Sequence, residues 1–404
     1  MSAVPRVLFV GHDAYRAGGT IFLLNMLRWM REHTDLQFDI ALRYEGEMLA
    51  HFEPLARCFV LHRIQGEGGG LRARCQDWWQ RRVRKRTLYR SLQSLIDSGS
   101  YDVLYLNTIT LGDHLACLER LSLPVITHVH ELPWAIRRYA HGEELRVLQQ
   151  SDRVICVSDA VLEHLVSGLG CPPAKVRRIH GFVPTHVEPE GTAEERRSRL
   201  LPPLAIPADA LLVGVCGHGD LRKGIDLAAP LARLLPARIG SREVHMVWVG
   251  AEAPEYPREL ALSDSRRAGV AGRLHFAGVT RAPADWLSIF DLHLMLSRED
   301  PFPLVVMEAA AQGVPTVAFA DAGGAVEFVG TDAGACTPFL DLPALAATLV
   351  DLLADDTRRR AMGAVARARV RQQYAPEVLL PQVVAVMEEV RAARSPTALR
   401  ERLA

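Results

Sequence analysis

One carboxylate stands out because of its surroundings. Glu308 lies in S-R-E-D-P-F-P-L-V-V-M-E-A-A-A-Q-G-V-P, residues 297–315, between Met307 and Ala309 in an apolar run. A carboxylate on a segment that faces a core is costly unless a partner satisfies it. The pattern therefore predicts either a ligand for Glu308 or a structural arrangement in which Glu308 is a paired core acid and Asp300 only a helix cap.

The residues before Glu308 predict the start of a helix that favours an anion. Two prolines, the second of them Pro303, prevent a helix before about residue 303, residues 304–312 are good helix formers, and Gly313 is a stop signal. Free N–H groups and the positive end of the helix dipole at such a start favour a phosphate. Because Pro303 has no N–H, the donors would be Leu304, Val305 and Val306.

A glycine-rich turn with two cations follows another apolar run, in V-G-V-C-G-H-G-D-L-R-K-G-I-D. It carries Gly217 and His218, and then the adjacent Arg222 and Lys223. A loop of this kind at the carboxyl end of a strand can hold a diphosphate by charge and by close backbone approach. The alternative is a solvated Arg-Lys pair on the surface.

A third loop has the same character. F-A-D-A-G-G-A-V-E-F-V, residues 319–329, places paired glycines and then Glu327 after an apolar run. Three loops of this kind in one domain favour a shared ligand.

These loops require a sheet to position them, and the sequence predicts one in each half of the chain. Short apolar runs alternate with helical patterns such as those at residues 21–32 and 160–167. This alternation is typical of α/β domains with a parallel sheet covered by helices on both faces. The predicted strands are residues 7–10, 38–42, 103–106, 125–129 and 154–157, and then 211–216, 244–249, 274–276, 292–296 and 316–319.

A chain of 404 residues is too long for a single ordinary core, so we expect two domains. Residues 184–207 are rich in proline and charge and show no strand pattern. We therefore expect an N-terminal domain at residues 1–185, a linker at 186–207, a C-terminal domain at 208–375, and a last helix within 376–404 that packs back toward the N-terminal domain. Tandem α/β domains usually bind a ligand in the crevice between them, outside the carboxyl ends of the strands.

Composition limits the classes of function. The formal net charge is zero, which gives no global bias toward nucleic acid, and we expect none as a partner. The seven cysteines form no C-x-x-C pair and indicate free thiols in a reducing compartment. No segment like a signal peptide, in which charged residues are followed by an apolar stretch, precedes V-P-R-V-L-F-V-G-H-D. No apolar run approaches the length of a membrane span. These features predict a cytoplasmic protein.

The order of the motifs resembles a known family. G-H-G-D-L-R-K-G, H-F-A-G-V, the segment at 297–315 and G-G-A-V-E-F-V follow one another as in the C-terminal half of glycosyltransferase family 4, which has the GT-B fold of two Rossmann-like domains. The resemblance covers nearly the whole chain and is strongest over residues 211–330. It implies a metal-independent enzyme that uses a nucleotide-sugar as donor, needs no further cofactor, and transfers the glycosyl group with retention. No apolar strand ends in the Asp-x-Asp pair of metal-dependent transferases.

The resemblance also implies roles for the two acids. Glu308 matches the second acid of the family's E-x7-E motif, which binds the ribose hydroxyls of the nucleotide. Asp300 takes the place of the first acid, which contacts the donor sugar, and is shorter than the expected glutamate. The neighbouring Glu299 is the alternative group for that contact.

Lys223 matches the lysine that holds the diphosphate and offsets the charge of the leaving group. The family has an arginine five positions earlier, where this chain has His218. Either Arg222 supplies the second cation or the diphosphate is held more weakly. The residues that the resemblance implies for donor binding, besides these cations and Asp300, are Gly18, Gly19, Gly217, His218, Val279, Glu299, Pro303, Leu304, Val305, Glu308 and Glu327.

Two motifs in the N-terminal half complete the expected site. G-H-D-A-Y-R-A-G-G-T is not G-x-G-x-x-G, which disfavours a nicotinamide cofactor, and the resemblance places Gly18 and Gly19 against the donor diphosphate and reacting sugar. A histidine at a strand end is more often structural, but the resemblance implies that His130 positions the sugar beside Glu131. A zinc site at His128, His130 and Glu131 is disfavoured, because successive side chains of a strand point to opposite faces.

The expected chemistry is glycosyl transfer through an oxocarbenium-like state while charge builds on the departing phosphate. Lys223, Arg222 and the helix start at 304–306 would stabilise that charge. The resemblance implies front-face attack by the acceptor, with a phosphate oxygen as the base.

A basic, tryptophan-containing segment, L-R-A-R-C-Q-D-W-W-Q-R-R-V-R-K-R-T-L-Y-R at residues 71–90, leaves three interpretations open. It is a solvated helix, a segment that lies on an anionic membrane surface, or a nucleic-acid contact. A lipid-linked acceptor would fit the membrane interpretation and a peripheral position on the inner face of the membrane.

Taken together, these features predict a retaining glycosyltransferase that acts on a glycan or glycolipid acceptor in bacterial surface polysaccharide assembly, such as O-antigen, lipopolysaccharide, capsule or exopolysaccharide. A sugar-nucleotide 2-epimerase with the same architecture is one alternative. A non-catalytic nucleotide-sugar-binding subunit is the other, because His218 and Asp300 depart from the family pattern.

Overall fold

The computed structural model describes residues 4–61, 88–89, 92–99, 101–112, 123–184, 188–252 and 255–393. It divides the chain into two compact α/β units, as the alternating pattern predicts. Unit 1 comprises Met1–His180 with Leu379–Ala404, and unit 2 comprises Gly181–Val378. The basic segment at 71–90 lies outside the described residues except for positions 88–89.

Within its described residues, unit 1 contains one sheet of eight parallel strands. The strands are β1 Arg6–Asp13, β2 Gln37–Tyr44, β3 Cys58–Val60, β4 Leu88–Tyr89, β5 Val103–Leu106, β6 Val125–Val129, β7 Arg153–Cys156 and β8 Val176–Arg178. Their order is β4-β3-β2-β1-β5-β6-β7-β8. The helices are α1 Gly18–His33, α2 Leu49–Phe52, α3 Leu92–Ser98, α4 Pro133–Tyr139, α5 Glu144–Gln150 and α6 Asp159–Glu163, which continues as a π-helical turn at His164–Gly168.

The central strands of unit 1 are buried on both faces, which explains their continuous apolar sequences. Val7, Leu8, Phe9 and Val10 of β1 have no exposed surface. Helices cover both faces of such parallel sheets, so alternation of polar and apolar residues is lost.

Unit 2 contains a second sheet, of seven strands in its described residues. The strands are β9 Leu211–Cys216, β10 Arg238–Ile239, β11 Arg242–Val249, β12 Leu274–Gly278, β13 Leu292–Met295, β14 Thr316–Phe319 and β15 Gly334–Thr337. Their order is β10-β11-β9-β13-β14-β15, with β12 paired to β11, and only the short β10 is antiparallel. The helices are α7 Ala193–Leu200, α8 Ala228–Leu234, α9 Tyr256–Arg267, α10 Pro283–Leu287, α11 Leu304–Ala311, α12 Ala325–Val329, α13 Leu342–Ala354 and α14 Asp356–Gln373.

The segment expected to be a linker, residues 186–207, belongs to unit 2 instead. Thr192 and Glu195 form a capping box in which each side chain accepts a hydrogen bond from the other residue's backbone N–H, at 3.2 and 2.7 Å. The capping box starts α7. Leu201, which directly follows this helix, is fully buried in a core cluster of unit 2. The proline-rich composition concealed this helix, whose T-x-x-E signature was nevertheless in the sequence.

The last described helix, α15 Pro376–Ala393, begins in unit 2 and continues into unit 1 from Leu379 onward. Pro381 lies inside it and cannot donate a backbone hydrogen bond to the preceding turn. Leu380, Val383 and Met387 are buried, and Arg153 of β7 donates from Nε to Glu389 at 3.0 Å. The C-terminal helix is therefore part of the unit 1 core.

Candidate active site

In unit 2 the predicted motifs meet at the carboxyl edge of the sheet. The central strand β9 lies between β11 and β13, so the chain connections leave it in opposite directions. Ligands of open parallel sheets bind at such switch points. The loop after β9 carries Lys223, and the loop after β13 carries Asp300.

The geometry of the β9 loop depends on a glycine and on an ion pair. Gly224 has a φ of +78°, and a Cβ there would lie 2.2 Å from the Leu296 carbonyl oxygen. Arg298 donates its backbone N–H to the Arg222 carbonyl at 2.8 Å and holds the Asp226 carboxylate in a bidentate pair at 2.9 and 2.7 Å. The two loops are thus fixed against each other.

Lys223, Arg222 and Asp300 form one charged cluster. Lys223 Nζ donates to Asp300 Oδ2, and Arg222 Nη1 lies 4.0 Å from the same oxygen. Asp300 is only 6% exposed, and its backbone N–H donates to the Ala322 carbonyl at 2.7 Å. Since the Gly324 N–H donates to the Asp300 carbonyl at 3.1 Å, the third predicted loop is part of the same cluster.

The structure distinguishes the environments of the two adjacent acids. The Asp300 carboxylate is buried against Lys223, whereas Glu299 is half-buried and its backbone carbonyl accepts from Arg222 Nη1 at 2.9 Å. Lys223 and Asp300, the groups implied for the diphosphate and for the sugar, therefore form an ion pair with each other.

Glu308 lies in the second turn of α11, a helix that starts at Leu304 with Pro303 as its N-cap, as the prolines predict. Its neighbours Met307 and Ala309 are buried, and Glu308 itself is half-buried. Burial, together with the negative charge of Glu308, raises the pKa of the Cys216 thiol to about 12. The Glu308 carboxylate is therefore close to the end of β9.

The remaining residues implied for the donor lie around this edge with different exposures. Gly217 extends the β9–β11 ladder, because its N–H donates to the Val249 carbonyl at 2.9 Å. His218 is exposed and Val279 is 61% exposed, whereas Leu304, Val305 and Glu327 are half-buried. His218, which replaces the arginine of the family pattern, is thus also exposed to solvent.

His293 is a neighbour of the cluster that the sequence pattern did not reveal. It lies on β13, has no exposed surface, and its Nδ1 is 3.0 Å from Thr316 Oγ1. Burial, with a smaller contribution from the positive charge of Lys223, lowers the pKa of His293 to about 3. A neutral histidine therefore lies close to the loop after β9 that carries Lys223.

In unit 1 the carboxyl edge has its own switch point, where β1 lies between β2 and β5. Gly18 and Gly19 begin α1, and a Cβ at either position would meet no atom within 4 Å, so their backbone faces open space. Asn107, which follows β5, donates from Nδ2 to the Gly19 carbonyl at 3.1 Å. No pattern in the sequence singles out this asparagine.

Asn107 also determines the state of His130. A backbone carbonyl only accepts, so the Asn107 amide must present Nδ2 to Gly19 and Oδ1 to His130, whose Nε2 is 3.2 Å away. His130 Nε2 therefore carries the hydrogen. Burial lowers the pKa of His130 to about 3, so the ring is neutral near pH 7 and its Nδ1 is free to accept.

Glu131 connects the segments after β5 and β6 through hydrogen bonds. Its carboxylate accepts from Thr108 Oγ1 and from the His130 backbone N–H at 2.9 Å. Burial raises the pKa of Glu131, although these hydrogen bonds and a charge on His12 oppose the rise. In the part of the chain that the structure describes, no cluster of three or more histidine, cysteine or acidic side chains is suited to a metal ion.

None of the described helices combines the length and the hydropathy needed to cross a bilayer.

Comparisons with known proteins agree with this architecture. Residues 18–187 match the family model described as Glycosyltransferase Family 4, and residues 210–355 match the model described as Glycosyl transferases group 1. The solved structure of Anabaena Alr3699/HepE in complex with UDP and glucose has a TM-score of 0.76 at 20% identity, over 95% of this chain and 100% of that chain.

Two relatives illustrate the activities found among similar sequences. A D-inositol 3-phosphate glycosyltransferase of Xylanimonas cellulosilytica is 32% identical over 57% of this chain and 55% of its own length. A GDP-mannose-dependent monoacylated alpha-(1-6)-phosphatidylinositol monomannoside mannosyltransferase of Corynebacterium glutamicum is 25% identical over 65% of this chain and 68% of its own length. The alignment with the first relative thus spans about half of that protein.

Proposed function

The chain belongs to glycosyltransferase family 4, with the GT-B fold, and from that premise we propose that it transfers a hexosyl or related group, with retention, from a nucleoside-diphosphate sugar to a glycan or glycolipid acceptor. The observation that carries the proposal is the cluster of Lys223, Arg222 and Asp300 at the switch point of unit 2. Its position next to the start of α11 brings cations, the backbone N–H groups of Leu304 and Val305 and an acid to one edge of the sheet. The N–H of Val306, also expected as a donor, is instead bonded to the Pro303 carbonyl at 3.1 Å.

The donor diphosphate is assigned to Lys223, Arg222 and the N–H groups at the start of α11. These groups carry positive charge where the leaving group gains negative charge, which stabilises the transition state more than the ground state. Arg222 would supply the second cation in place of the arginine absent at His218. Glu308 would accept hydrogen bonds from the ribose diol.

Donor binding requires a change of partners within the cluster. Lys223 is paired with Asp300, and a bound diphosphate would compete with the acid for Lys223. Asp300 would then bind hydroxyl groups of the donor sugar. The neutral His130, held by Asn107 with Nδ1 as its acceptor, would position a hydroxyl of the transferred sugar in the same reaction.

We place the activity in bacterial surface polysaccharide assembly, on the cytoplasmic side, with peripheral attachment to the inner membrane face through residues 71–90. The phosphorylated inositol acceptors named for the two relatives support a second acceptor class, a phosphorylated polyol, free or lipid-linked. Sedimentation with anionic liposomes tests the attachment: neutralising Arg81, Arg82, Arg84, Lys85 and Arg86 is expected to release the protein into the supernatant. A wild-type protein that stays in the supernatant would contradict it.

The donor is tested first, by thermal shift with UDP-, GDP-, dTDP- and ADP-sugars, because a bound donor stabilises the folded protein by mass action. Products are then sought with glycan, glycolipid and inositol phosphate acceptors. An epimerase would convert the donor with no acceptor present. A binding subunit would bind the donor, lose binding in Glu308→Ala, and neither hydrolyse nor transfer the sugar. No shift with any sugar nucleotide would refute the proposal.

A further inference from the structure

Helix α14 of unit 2 carries a cationic groove to which the proposed transfer gives no role. The groove has a volume of about 350 Å³ and lies between α14 and the residues that follow α11. Residues 360, 364, 367 and 371 are spaced by three or four, so they lie on one face of the helix. The groove is lined by Gly313 and, on α14, by Arg360, Ala364, Arg367, Ala368 and Arg371.

Small residues give the groove its space. A Cβ at Gly363 would overlap the Gly313 carbonyl oxygen, so a glycine is what allows α14 to come this close to the end of α11. Ala364 and Ala368 then leave room among the long arginine side chains. None of the described residues that line the groove has the large apolar side chain that a segment lying in a lipid interface needs. The shape therefore fits a small, soluble ligand.

The groove arginines differ from the other arginines of α14 in their partners. Those others are Arg358, which pairs with Asp351, Arg359, which donates to the Leu352 carbonyl, and Arg369, which pairs with Asp332. By contrast, Arg367 and Arg371 are exposed and make no hydrogen bond or ion pair with any residue that the structure describes. Arg360 Nη2 lies 3.9 Å from Asp356, and the Arg360 side chain is 85% exposed. The groove thus holds more positive charge than the neighbouring acid offsets.

A phosphorylated anion matches this excess charge. Arg367 and Arg371 are four positions apart, where like charges on a helix repel each other and destabilise it. A planar guanidinium group binds a phosphate through two parallel hydrogen bonds, which a lysine ammonium does not offer. Arg360 begins roughly 10 Å further along the helix. The site is therefore longer than one phosphate and suits a diphosphate or a phosphorylated sugar.

A structural role explains only one of these arginines. The Arg367 guanidinium lies close to the end of α11, since a Cβ added at Gly313 would be 3.0 Å from Arg367 Nη2. A cation at that end complements the helix dipole. This contact gives no role to Arg360 and Arg371.

The groove is separate from the donor edge of unit 2. Helix α11 begins beside the cluster of Lys223 and Asp300, and its eight residues span roughly 12 Å before Gly313. Gly313 precedes β14, whose first residue is Thr316, so the groove lies toward the amino edge of the sheet. All of its lining residues belong to unit 2.

We propose that this groove binds a small, soluble phosphorylated anion, with Arg367 and Arg371 as its principal ligands and Arg360 as a third cation. The site lies within unit 2 and takes no part in the glycosyl transfer. The inference therefore stands or falls independently of the proposed function.

The first test reads each arginine separately, with inorganic pyrophosphate as the probe. The full-length protein is modified with phenylglyoxal, which reacts with accessible guanidinium groups, at constant ionic strength, and the rates are obtained by peptide mass spectrometry. Modification of Arg367 and Arg371 is expected to slow about 10-fold when pyrophosphate is at about ten times its dissociation constant, because about a tenth of the sites is then free. The internal control is Arg233, an exposed arginine of α8, which should react at an unchanged rate. Binding of pyrophosphate to Arg222 at the donor edge does not affect this readout.

The second test fills the groove without removing charge. Ala368→Leu keeps all three arginines and a residue that favours helix, but occupies the space of the ligand. Protection of Arg367 and Arg371 by pyrophosphate is expected to be lost in this variant. The matched control is Ala392→Leu, at an exposed position of α15, which should keep the protection.

Three results would overturn the proposal. Equal protection of Arg233, or no protection of Arg367 and Arg371, would show that pyrophosphate only screens charge or does not bind. Protection that persists in Ala368→Leu would show that the groove is not the binding element. Protection by phosphatidylglycerol vesicles and not by pyrophosphate would assign these arginines to a membrane surface instead of a soluble ligand.

Discussion

Lys223→Ala is the change that separates the structural and catalytic roles of the charged cluster. Lys223 and Asp300 have side-chain exposures of 18% and 9%, so their ion pair is largely removed from water. Deleting one partner of a buried pair leaves an uncompensated charge and typically costs about 3–5 kcal/mol. Arg222, 4.0 Å from the same oxygen, can move toward the carboxylate, so we expect about 3 kcal/mol, the lower end of that range.

The effect on stability is measured by thermal and urea unfolding of the ligand-free protein. A loss of about 3 kcal/mol corresponds to a lowering of the unfolding midpoint of unit 2 by roughly 6–12 °C. In the double variant Lys223→Ala, Asp300→Ala, the unpaired carboxylate is absent as well, so most of this loss of stability should be recovered. The control is Lys175→Ala in unit 1, where Lys175 Nζ donates to the Ser151 carbonyl at 3.0 Å.

Activity is expected to behave differently from stability. Loss of a donor that stabilises developing charge lowers turnover about 10²–10³-fold, and the double variant should not recover it. Donor consumption by each variant is measured at a temperature at which all are folded. A double variant no more stable than Lys223→Ala would refute the ion-pair reasoning, and near wild-type turnover of Lys223→Ala would refute the catalytic assignment.

Three further predictions follow from the geometry. Glu308→Gln is expected to weaken UDP binding, measured by calorimetry, about 10–100-fold, because a charge-assisted hydrogen bond is lost. The control Glu377→Gln, at the exposed start of another helix, should leave UDP binding unchanged. Equal affinity of Glu308→Gln and the wild type for UDP would contradict the ribose assignment. Asn107→Asp replaces a donor to a glycine carbonyl by an acceptor, so unit 1 is expected to lose about 1–3 kcal/mol and turnover to fall while UDP binding is kept. Burial lowers the pKa of His130 and of His293 to about 3, so below pH 6.5 the unfolded chain binds protons that these two rings do not bind in the folded protein. Each ring alone is expected to remove about 2 kcal/mol from the stability of its unit between pH 6.5 and 5, and urea titrations of the wild type against His130→Gln and His293→Gln measure that difference. Stability that stays constant over this range would contradict the buried, neutral state of these rings.

The sequence predicted the elements whose boundaries are set by local chemistry. The start of α11 follows directly from Pro303, and its end from Gly313, because these residues restrict the backbone regardless of tertiary contacts. Ten strands of the two sheets were found for a similar reason, since burial on both faces leaves continuous apolar runs. The sequence did not predict five short strands, which are β3, β4, β8, β10 and β15.

Features that depend on tertiary contacts were not predictable in the same way. Asn107 directly follows a strand, as polar turn residues commonly do, and only the positions of Gly19 and His130 show what it bonds. His293 has the sequence context of an ordinary strand residue, and its relation to Lys223 arises from the pairing of β13 with β9.

The course of the last helix has a consequence for how this protein can be divided. Since unit 1 comprises Met1–His180 and Leu379–Ala404, unit 2 is in effect an insertion into unit 1. A single cut near residue 180 would leave the N-terminal fragment without Leu380, Val383 and Met387, and their apolar contact surface would be open to water. An isolated unit 1 should therefore contain both Met1–His180 and Leu379–Ala404.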